Sequence, residues 1–535
     1  MEHLDIIIVG LLVTVAGLAL LARLLCIPYP IFLVIGGLVI GFLPSVPKIE
    51  LAPELVLLIF LPPLLYAAAF FSSLRDLKAN VGSISLLAIG LVATTTLSVA
   101  AVAHWLIGFS WPVAFVLGAI VSPTDAVAPA SIVRRLGVPR RVMTVIEGEN
   151  LTNDWTALVF YRFAVAAVVS STFSLWEAGV RFLLTGLGGL AVGLLVGWLI
   201  ANVRRRIEDP MIEITISLFT GYAAYLTAEE IGGSGVIAVV TAGIYLGWHS
   251  PTLTSPSTRI QAFSVWELLQ FLLNAVLFVL IGLQLPNVLA GISDRQVGSL
   301  IWFGLAISAV VIVTRLLWVF VLTCLPQFLS RRLLKRDPYP SWRNVSVVAW
   351  SGMRGAVSLA AALAIPFTTT SGSSFPERPL IIFLTFCVIL ATLVLQGLSL
   401  PALIRALKIE DDGSGVKEEM KARLKIAQAA LARIDELALE DWVREDTAER
   451  MRNLYDYRRR RFASRLGAEE EGSRKDYEER SNAFKQLQTE VFLAEREELV
   501  RLRNEGKIND EVMHRVERDL DLEESRLEPT FRTLG

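Results

Sequence analysis

The sequence has 535 residues, of which 54% are hydrophobic and 19% are charged, and its mean hydropathy is +0.56. This composition is too apolar for a water-soluble protein of that length and predicts a membrane protein. The net charge of -1 hides an uneven distribution, because charged residues are sparse before about residue 410 and dense after it. We therefore expect a transmembrane domain over 1–410 and a cytoplasmic helical tail over 411–535.

The cysteines and histidines form no recognisable site. Cys26, Cys324 and Cys387 lie far apart in apolar segments without CxxC spacing, and the four histidines form no HExxH or other ligand cluster. We expect neither a structural disulfide nor a transition-metal site.

Apolar runs of spanning length, separated by proline, glycine or charged residues, predict about thirteen transmembrane helices. The first run has no basic residues ahead of it and is long enough to cross a bilayer, which favours a span over a cleaved signal sequence. In chain order the runs lie near 5–26, 31–47, 52–71, 81–107, 112–136, 141–169, 174–203, 210–229, 232–249, 262–284, 297–325, 343–367 and 379–406.

The basic residues of the loops predict how the protein is oriented in the membrane. With the N-terminus outside, the outer loops hold only Lys48, Arg295 and Arg378, and the inner loops hold all the other loop cations. Positive charge is retained on the cytoplasmic side, so we expect a multi-pass protein of the cell membrane with a cytoplasmic C-terminus. The inner cations are Arg23, Arg75, Lys78, Arg134, Arg135, Arg140, Arg141, Arg204, Arg205, Arg206, Arg259, Arg331, Arg332, Lys335, Arg336 and Arg343.

The sixth predicted span contains the polar stretch EGENLTND, residues 147–154. From Arg141 at the inner face, Asp154 lies about 20 Å along a helix, which is close to the middle of the membrane. Asn150 and Asp154 are four residues apart and share a helix face, whereas Glu149 is available to a different neighbour. Ionisable groups at this depth are costly and usually mark a transport pathway or a paired site.

The fifth and twelfth predicted spans are interrupted at the same depth. Thr124 and Asp125 lie between two prolines, and Arg354 lies between two glycines. Proline removes a backbone donor and glycine loosens a helix, so both segments are candidates for broken helices whose freed backbone groups can hold ions. Successive spans alternate in direction, and these two spans are seven apart in chain order, so they run in opposite directions. This is expected for inverted repeats with two crossed broken helices.

These polar residues have two readings. They can be buried structural groups that neutralise one another, or they can form a transport site. We predict the transport role for Asp125 and Asp154. Arginine stays protonated, so we predict that Arg354 instead holds a buried carboxylate such as that of Glu149.

Several segments resemble the sodium/proton exchanger branch of the monovalent cation:proton antiporters. They are SPTDAVA, EGENLTND, EITISLFTGYAAYLTAEEIGGSGVIAVVTAGI, WSGMRGAVSLAAAL and, in the third span, FLPPLLYAAAF. The resemblance covers roughly residues 1 to 410. It implies a homodimer in which a core domain moves against a dimerisation domain.

The same resemblance implies roles for individual residues. Thr124, Asp125 and Asp154 would form the ion site, with Asn153 as the neutral member of the Asn-Asp pair. Glu149 would form an ion pair with Arg354. Two departures stand out: Asn150, which we also place at the ion site, replaces a common Ser, and Ala67 replaces a frequent Glu.

The predicted function is exchange of an alkali cation, with Na⁺ favoured over K⁺ or Li⁺, for H⁺. Carboxylate, hydroxyl and amide oxygens are hard ligands that suit such ions, and a proton would compete with the cation for Asp154. Because Asn153 cannot carry a proton, one proton would replace one cation and the exchange would be electroneutral. We expect no enzyme activity, cofactor or nucleic acid partner. The alternatives are a cation channel and a K⁺-selective antiporter.

Overall fold

The computed structural model describes residues 4–25, 27–43, 53–170, 175–290, 292, 296–329, 341–370, 372–411, 413–466 and 471–525. Regular structure in these ranges is helical, apart from an isolated bridge between Thr368 and Ser374. The predicted all-α fold is confirmed. Lys48, Arg295, Cys26 and the predicted inner cations between 331 and 336 lie outside the described residues.

Contacts divide the chain into two compact units, Met1–Glu410 and Asp411–Gly535. The first unit contains nineteen α-helices in its described residues: α1 Leu4–Leu24, α2 Tyr29–Gly41, α3 Pro53–Phe70, α4 Leu74–Ala79, α5 Val81–Ser85, α6 Val92–Val102, α7 Trp111–Val121, α8 Val127–Arg135, α9 Arg140–Ser170, α10 Leu175–Arg204, α11 Pro210–Glu230, α12 Gly235–Leu253, α13 Pro256–Leu283, α14 Leu285–Ala290, α15 Val297–Leu329, α16 Trp342–Trp350, α17 Ala356–Leu363, α18 Arg378–Ala391 and α19 Gly397–Ala406. Three short π-helical segments continue these helices. Leu86–Leu91 joins α5 to α6, Ala103–Ile107 extends α6, and Thr392–Gln396 joins α18 to α19.

Seven helical segments in the described residues are long and apolar enough to cross a membrane. They are Val81–Ile107, Gly179–Arg204, Pro210–Glu230, Gly235–Leu253, Pro256–Leu283, Val297–Val321 and Arg378–Ala406. Shorter apolar helices accompany them, such as Tyr29–Gly41 and Trp111–Val121. The polar stretch lowers the hydropathy of α9, and the two broken helices are too short to be counted. The figure of thirteen spans stays a prediction.

The fifth and twelfth predicted spans are broken, as the sequence indicated. The α-helix stops between α7 and α8, over 122–126, and again between α16 and α17, over 351–355. Pro123 lies in the first interruption, and Pro129 lies in the first turn of α8, where a proline costs no intrahelical hydrogen bond. In the second interruption, a Cβ on Gly352 would lie 2.1 Å from Cδ of Arg315, so a larger residue would displace that arginine.

The second unit contains four α-helices in its described residues: α20 Ser414–Leu437, α21 Glu445–Arg465, α22 Glu471–Asn504 and α23 Asp510–Ser525. Arg496 joins the last two helices, because its Nη2 lies 2.5 Å from Asp521 and 2.7 Å from Glu524. The cytoplasmic location of this unit stays a prediction.

Candidate ion-binding site

The two broken helices cross each other at their interruptions. The N–H of Asp125 donates to the carbonyl oxygen of Met353 at 2.8 Å. Nε of Arg354 donates to the carbonyl oxygen of Val121 at 3.1 Å. Backbone groups freed by one break are therefore satisfied by the other, as irregular backbone inside a membrane requires.

Each broken helix has a first half, α7 or α16, and a second half, α8 or α17. Two buried guanidinium groups cap the C-terminal ends of the two first halves. Arg354 binds the carbonyl of Val121, the last residue of α7. Arg315 of α15 donates to the carbonyls of Val348 at 2.9 Å and Ala349 at 3.2 Å, in the last turn of α16. The carbonyl end of a helix carries partial negative charge, so each arginine stabilises the end that it contacts.

One carboxylate lies at the N-terminal ends of both second halves, α8 and α17. Oδ1 of Asp125 accepts a hydrogen bond from the N–H of Val127 at 2.8 Å. Its Oδ2 lies so close to Gly355 that a Cβ there would be 1.9 Å away. Helix N-termini carry partial positive charge, so both helix ends attract the carboxylate of Asp125.

The polar stretch of α9 is held by a chain of hydrogen bonds. Nδ2 of Asn153 donates to the carbonyl and to the hydroxyl of Thr124, at 3.0 and 2.9 Å. The Thr124 hydroxyl donates to Oε1 of Glu149 at 2.8 Å. Asn150 accepts from the N–H of Ala126 at 3.2 Å. These contacts fix α9 against the first interruption.

The partner of Glu149 is Arg315. Nη1 and Nη2 of Arg315 bind the two carboxylate oxygens at 2.5 and 2.9 Å, and both side chains are buried. This corrects the predicted pairing with Arg354, whose guanidinium instead donates to the carbonyls of Val121 and Gly352. The reason is that Arg354 lies inside its own interruption, where unpaired carbonyls compete successfully for its N–H groups.

The sequence pattern did not lead us to predict a site role for Arg315, although its position within an apolar span was a signal. It is the only charged residue in the 33-residue helix α15. A lone arginine within a span is as costly as the acids of α9, and it needs a buried counter-charge or carbonyl oxygens.

A cavity of about 470 Å³ brings the predicted ligands together. Thr124, Asp125, Asn150 and Asp154 line it. The Asp154 side chain is buried and lines the cavity, and its carboxylate accepts no hydrogen bond from the residues that the structure describes. The Asp154 carboxylate therefore has room for a partner from the cavity.

Three predicted site residues do not line this cavity: Asn153, Glu149 and Arg354. Asn153 uses its amide N–H groups on Thr124, while its buried Oδ1 has no partner among the described residues. In this conformation Asn153 positions Thr124 and does not line the cavity.

The cavity reaches the surface at the end of the unit where α8 ends and α9 begins. Arg134 and Glu147 line that end and form an ion pair of 2.6 Å, with 71% and 31% of their side chains exposed. Two crossed broken helices, with a carboxylate at the crossing and a cavity leading to it, define an ion-coupled secondary transporter.

Comparison with known proteins places the chain within that class. The transmembrane sodium/hydrogen exchanger family matches residues 10–406, and the chain belongs to this family. It is accordingly a membrane-embedded, multi-pass antiporter and not an enzyme.

The chain is similar to proteins of this family along most of its length. It is 37% identical to an uncharacterized Na⁺/H⁺ exchanger of Mycobacterium tuberculosis over 526 residues, which cover 98% of this chain and 96% of that protein. It is 34% identical to a sodium, potassium, lithium and rubidium/H⁺ antiporter of Bacillus pumilus, over 81% of this chain and 65% of that protein. The solved sodium proton antiporter MjNhaP1 of Methanocaldococcus jannaschii shares the fold with a TM-score of 0.58 and 21% identity, over 76% of this chain and 99% of that one.

Proposed function

We propose that the protein exchanges one Na⁺ for one H⁺, and that the two ions compete for the carboxylate of Asp154. The observation that carries the proposal is the state of this side chain, which is buried, faces the cavity and accepts no hydrogen bond from the described residues. A carboxyl group removed from water holds its proton more tightly, and an alkali cation can replace that proton when other oxygens surround it.

The remaining ligands come from the same cavity. Asp125, Thr124 and Asn150 contribute oxygens beside Asp154. These are hard ligands, so the site suits an alkali cation and not a soft metal. The Bacillus pumilus relative is named for four alkali cations, and Na⁺, Li⁺ and K⁺ are all candidate substrates here.

The neighbours of Asp154 favour an electroneutral cycle. Asn153 carries no exchangeable proton, and Asp125 is held by Val127 N–H and by the N-terminal end of α17. Glu149 is paired with Arg315. Asp154 is then the one carboxylate of this group that changes its bound ion during transport.

The cavity opening gives the proposed orientation. Arg134, Arg135, Arg140 and Arg141 lie at the end of the unit where the cavity reaches the surface. Because positive loops stay in the cytoplasm, this end faces inward and the N-terminus lies outside. The conformation is thus open to the cytoplasm, and the cycle proceeds by alternating access.

The test is proton flux in proteoliposomes with Na⁺, Li⁺ or K⁺ added in turn. We expect a cation-dependent flux whose half-saturating cation concentration falls as the pH rises, because fewer protons then compete for Asp154. A half-saturating concentration that does not change with pH would contradict competition at one carboxylate. Single-channel current in planar bilayers would establish the channel alternative instead.

Assembly as a homodimer is part of the proposal and rests on the family resemblance. Native mass spectrometry of the purified protein should give twice the chain mass of 58.9 kDa. A monomer that retains full exchange would remove the dimer from the proposal.

A further inference from the structure

The second broken helix also lines the cavity, through a residue that the predicted site does not include. Gly355, Ala356, Val357 and Ser358, at the start of α17, all line it. Ser358 is 2% exposed, and its Oγ has no hydrogen-bond partner among the described residues. A buried hydroxyl without a partner is unusual, because its desolvation is then not compensated.

The break in the helix explains why this hydroxyl is free. A serine within a helix usually donates to the carbonyl three or four residues earlier. Ser308 does so with Gly304 at 2.7 Å, and Ser217 with Ile214 at 2.7 Å. For Ser358, those positions fall at Arg354 and Gly355, where the chain is not helical. Thr95 is the other buried serine or threonine whose hydroxyl lacks a partner in the described part of the chain, and it does not line the cavity.

Three of the predicted ligands at the cavity already make hydrogen bonds, although each of their oxygens keeps a lone pair for a cation. The Thr124 hydroxyl joins Glu149 to Asn153, the Asn150 oxygen accepts from Ala126, and Oδ1 of Asp125 accepts from Val127. Among the oxygens nearest the crossing, the Asp154 carboxylate, Oδ2 of Asp125 and Oγ of Ser358 make no hydrogen bond within the described residues. Alkali cations need several oxygens to replace their hydration shell.

We propose that Ser358 is a further ligand of the transported cation, so that both broken helices contribute to one site. This inference rests on the proposed function, because it assumes that the cation binds between Asp125 and Asp154. The negative charge of Asp125 at the start of α17 offsets the positive end of that helix and allows a cation to approach. A hydroxyl is neutral, so Ser358 contributes to cation affinity without changing the number of protons exchanged.

The test compares Ser358→Ala with the wild type in proteoliposomes, by measuring proton flux against Na⁺ concentration. Removing one neutral ligand of a charged group should raise the half-saturating Na⁺ concentration about tenfold. The maximal rate and the ratio of protons to cations should stay close to those of the wild type. Ser308→Ala is the matched control, because it removes a buried serine hydroxyl that has a helix carbonyl as partner and does not line the cavity.

Ser358→Cys repeats the test without a loss of volume. Sulfur is a poor ligand for a hard cation, so this variant should also show a raised half-saturating Na⁺ concentration. Ser358→Cys replaces Ser358→Ala as the test variant if the alanine variant does not reach the membrane. Ser358→Thr retains the hydroxyl and should restore most of the affinity.

The possible outcomes separate this inference from the proposed function. Absence of Na⁺-dependent proton flux in the wild type would overturn both. Flux in the wild type, together with an unchanged half-saturating Na⁺ concentration in Ser358→Ala or Ser358→Cys, would overturn the role of Ser358 alone. A lower maximal rate with unchanged cation affinity would do the same, since it would show that Ser358 only supports the helix.

Discussion

The two broken helices are alike in shape but differ in the charge that they supply. The first, α7 and α8, carries Asp125 in its interruption, whereas the second, α16 and α17, carries Arg354. Arg354 caps the C-terminal end of α7, and Asp125 lies against the start of α17. Each interruption thus supplies a charge that is opposite in sign to the partial charge at the end of a helix in the other broken helix.

The difference extends to how firmly each charge is held. Arg354 and Arg315 are fully buried and bind several carbonyl oxygens of the first halves. The carboxylates of Asp125 and Asp154 face the cavity instead. The arginines therefore stabilise the crossing, and under the proposed function the two carboxylates bind the transported ions. The predictions below change one group at a time, to test whether stability and transport separate in this way.

The largest effect is expected for the carboxylates. Asp154→Asn and, separately, Asp125→Asn should abolish cation-dependent proton flux, because each removes an anion from the cavity at almost constant volume. Both variants should remain folded, which size-exclusion chromatography and a thermal melt would check. Exchange at the wild-type rate in either variant would show that its carboxylate is not an essential ligand.

Arg315→Ala should be the most destabilising of the arginine and aspartate variants. It leaves the buried Glu149 without its counter-charge, and breaking such a pair costs about 3–5 kcal/mol. Arg354→Ala should also lower the melting temperature, because the carbonyl of Val121 loses its donor, but by less than Arg315→Ala. Replacing Glu149 together with Arg315 by apolar residues should recover part of the loss. Equal melting temperatures for Arg315→Ala and the wild type would contradict the pairing.

Gly355→Ala should reduce transport with a smaller effect on folding. The added Cβ would lie 1.9 Å from Oδ2 of Asp125, so the carboxylate must move. Displacement of a reacting group by about 1 Å can lower a rate roughly a hundredfold. Gly17→Ala in α1 is the control, because a Cβ there meets no atom within 4 Å. If both alanine variants exchange equally well, the contact between Gly355 and Asp125 is not needed.

Voltage should have the smallest effect. If Asp154 carries either one proton or one monovalent cation, the site has the same charge in both directions and the membrane potential does no work on the cycle. With a potassium-valinomycin potential and Na⁺ as test ion, the final proton gradient should follow the Na⁺ gradient alone. A dependence equivalent to one elementary charge would mean that a second carboxylate, first of all Asp125, exchanges a proton as well.

Asn153→Asp sharpens the same test. The variant introduces a second acid beside Asp154, which can make transport voltage-dependent if it takes up a proton when the ion leaves. It also loses the N–H groups that Asn153 donates to Thr124, so it should melt at a lower temperature. Voltage-dependence is measured on the fraction that remains folded, with Asn153→Gln as the neutral comparison.

The sequence by itself determined the class of protein and the positions of both helix interruptions. Its apolar runs required a membrane, and a bilayer leaves helices as one of the few ways to satisfy the backbone. The prolines and glycines marked both interruptions, and Asp125 and Asp154, which the sequence singled out, both line the cavity. These inferences hold because the costs of burying a charge and of breaking a helix are local and can be read from short segments.

Only the tertiary structure decided which charges meet. Arg315 lies 166 residues from Glu149, and no spacing along one helix relates them. Nothing in the sequence around Asn153 or Ser358 distinguishes their roles. In the structure, Asn153 donates to Thr124, and Ser358 lines the cavity with a hydroxyl that has no partner among the described residues. A buried polar group takes whichever donor or acceptor the packing brings within about 3 Å. That choice depends on how the helices cross, which hydrophobic periodicity does not specify.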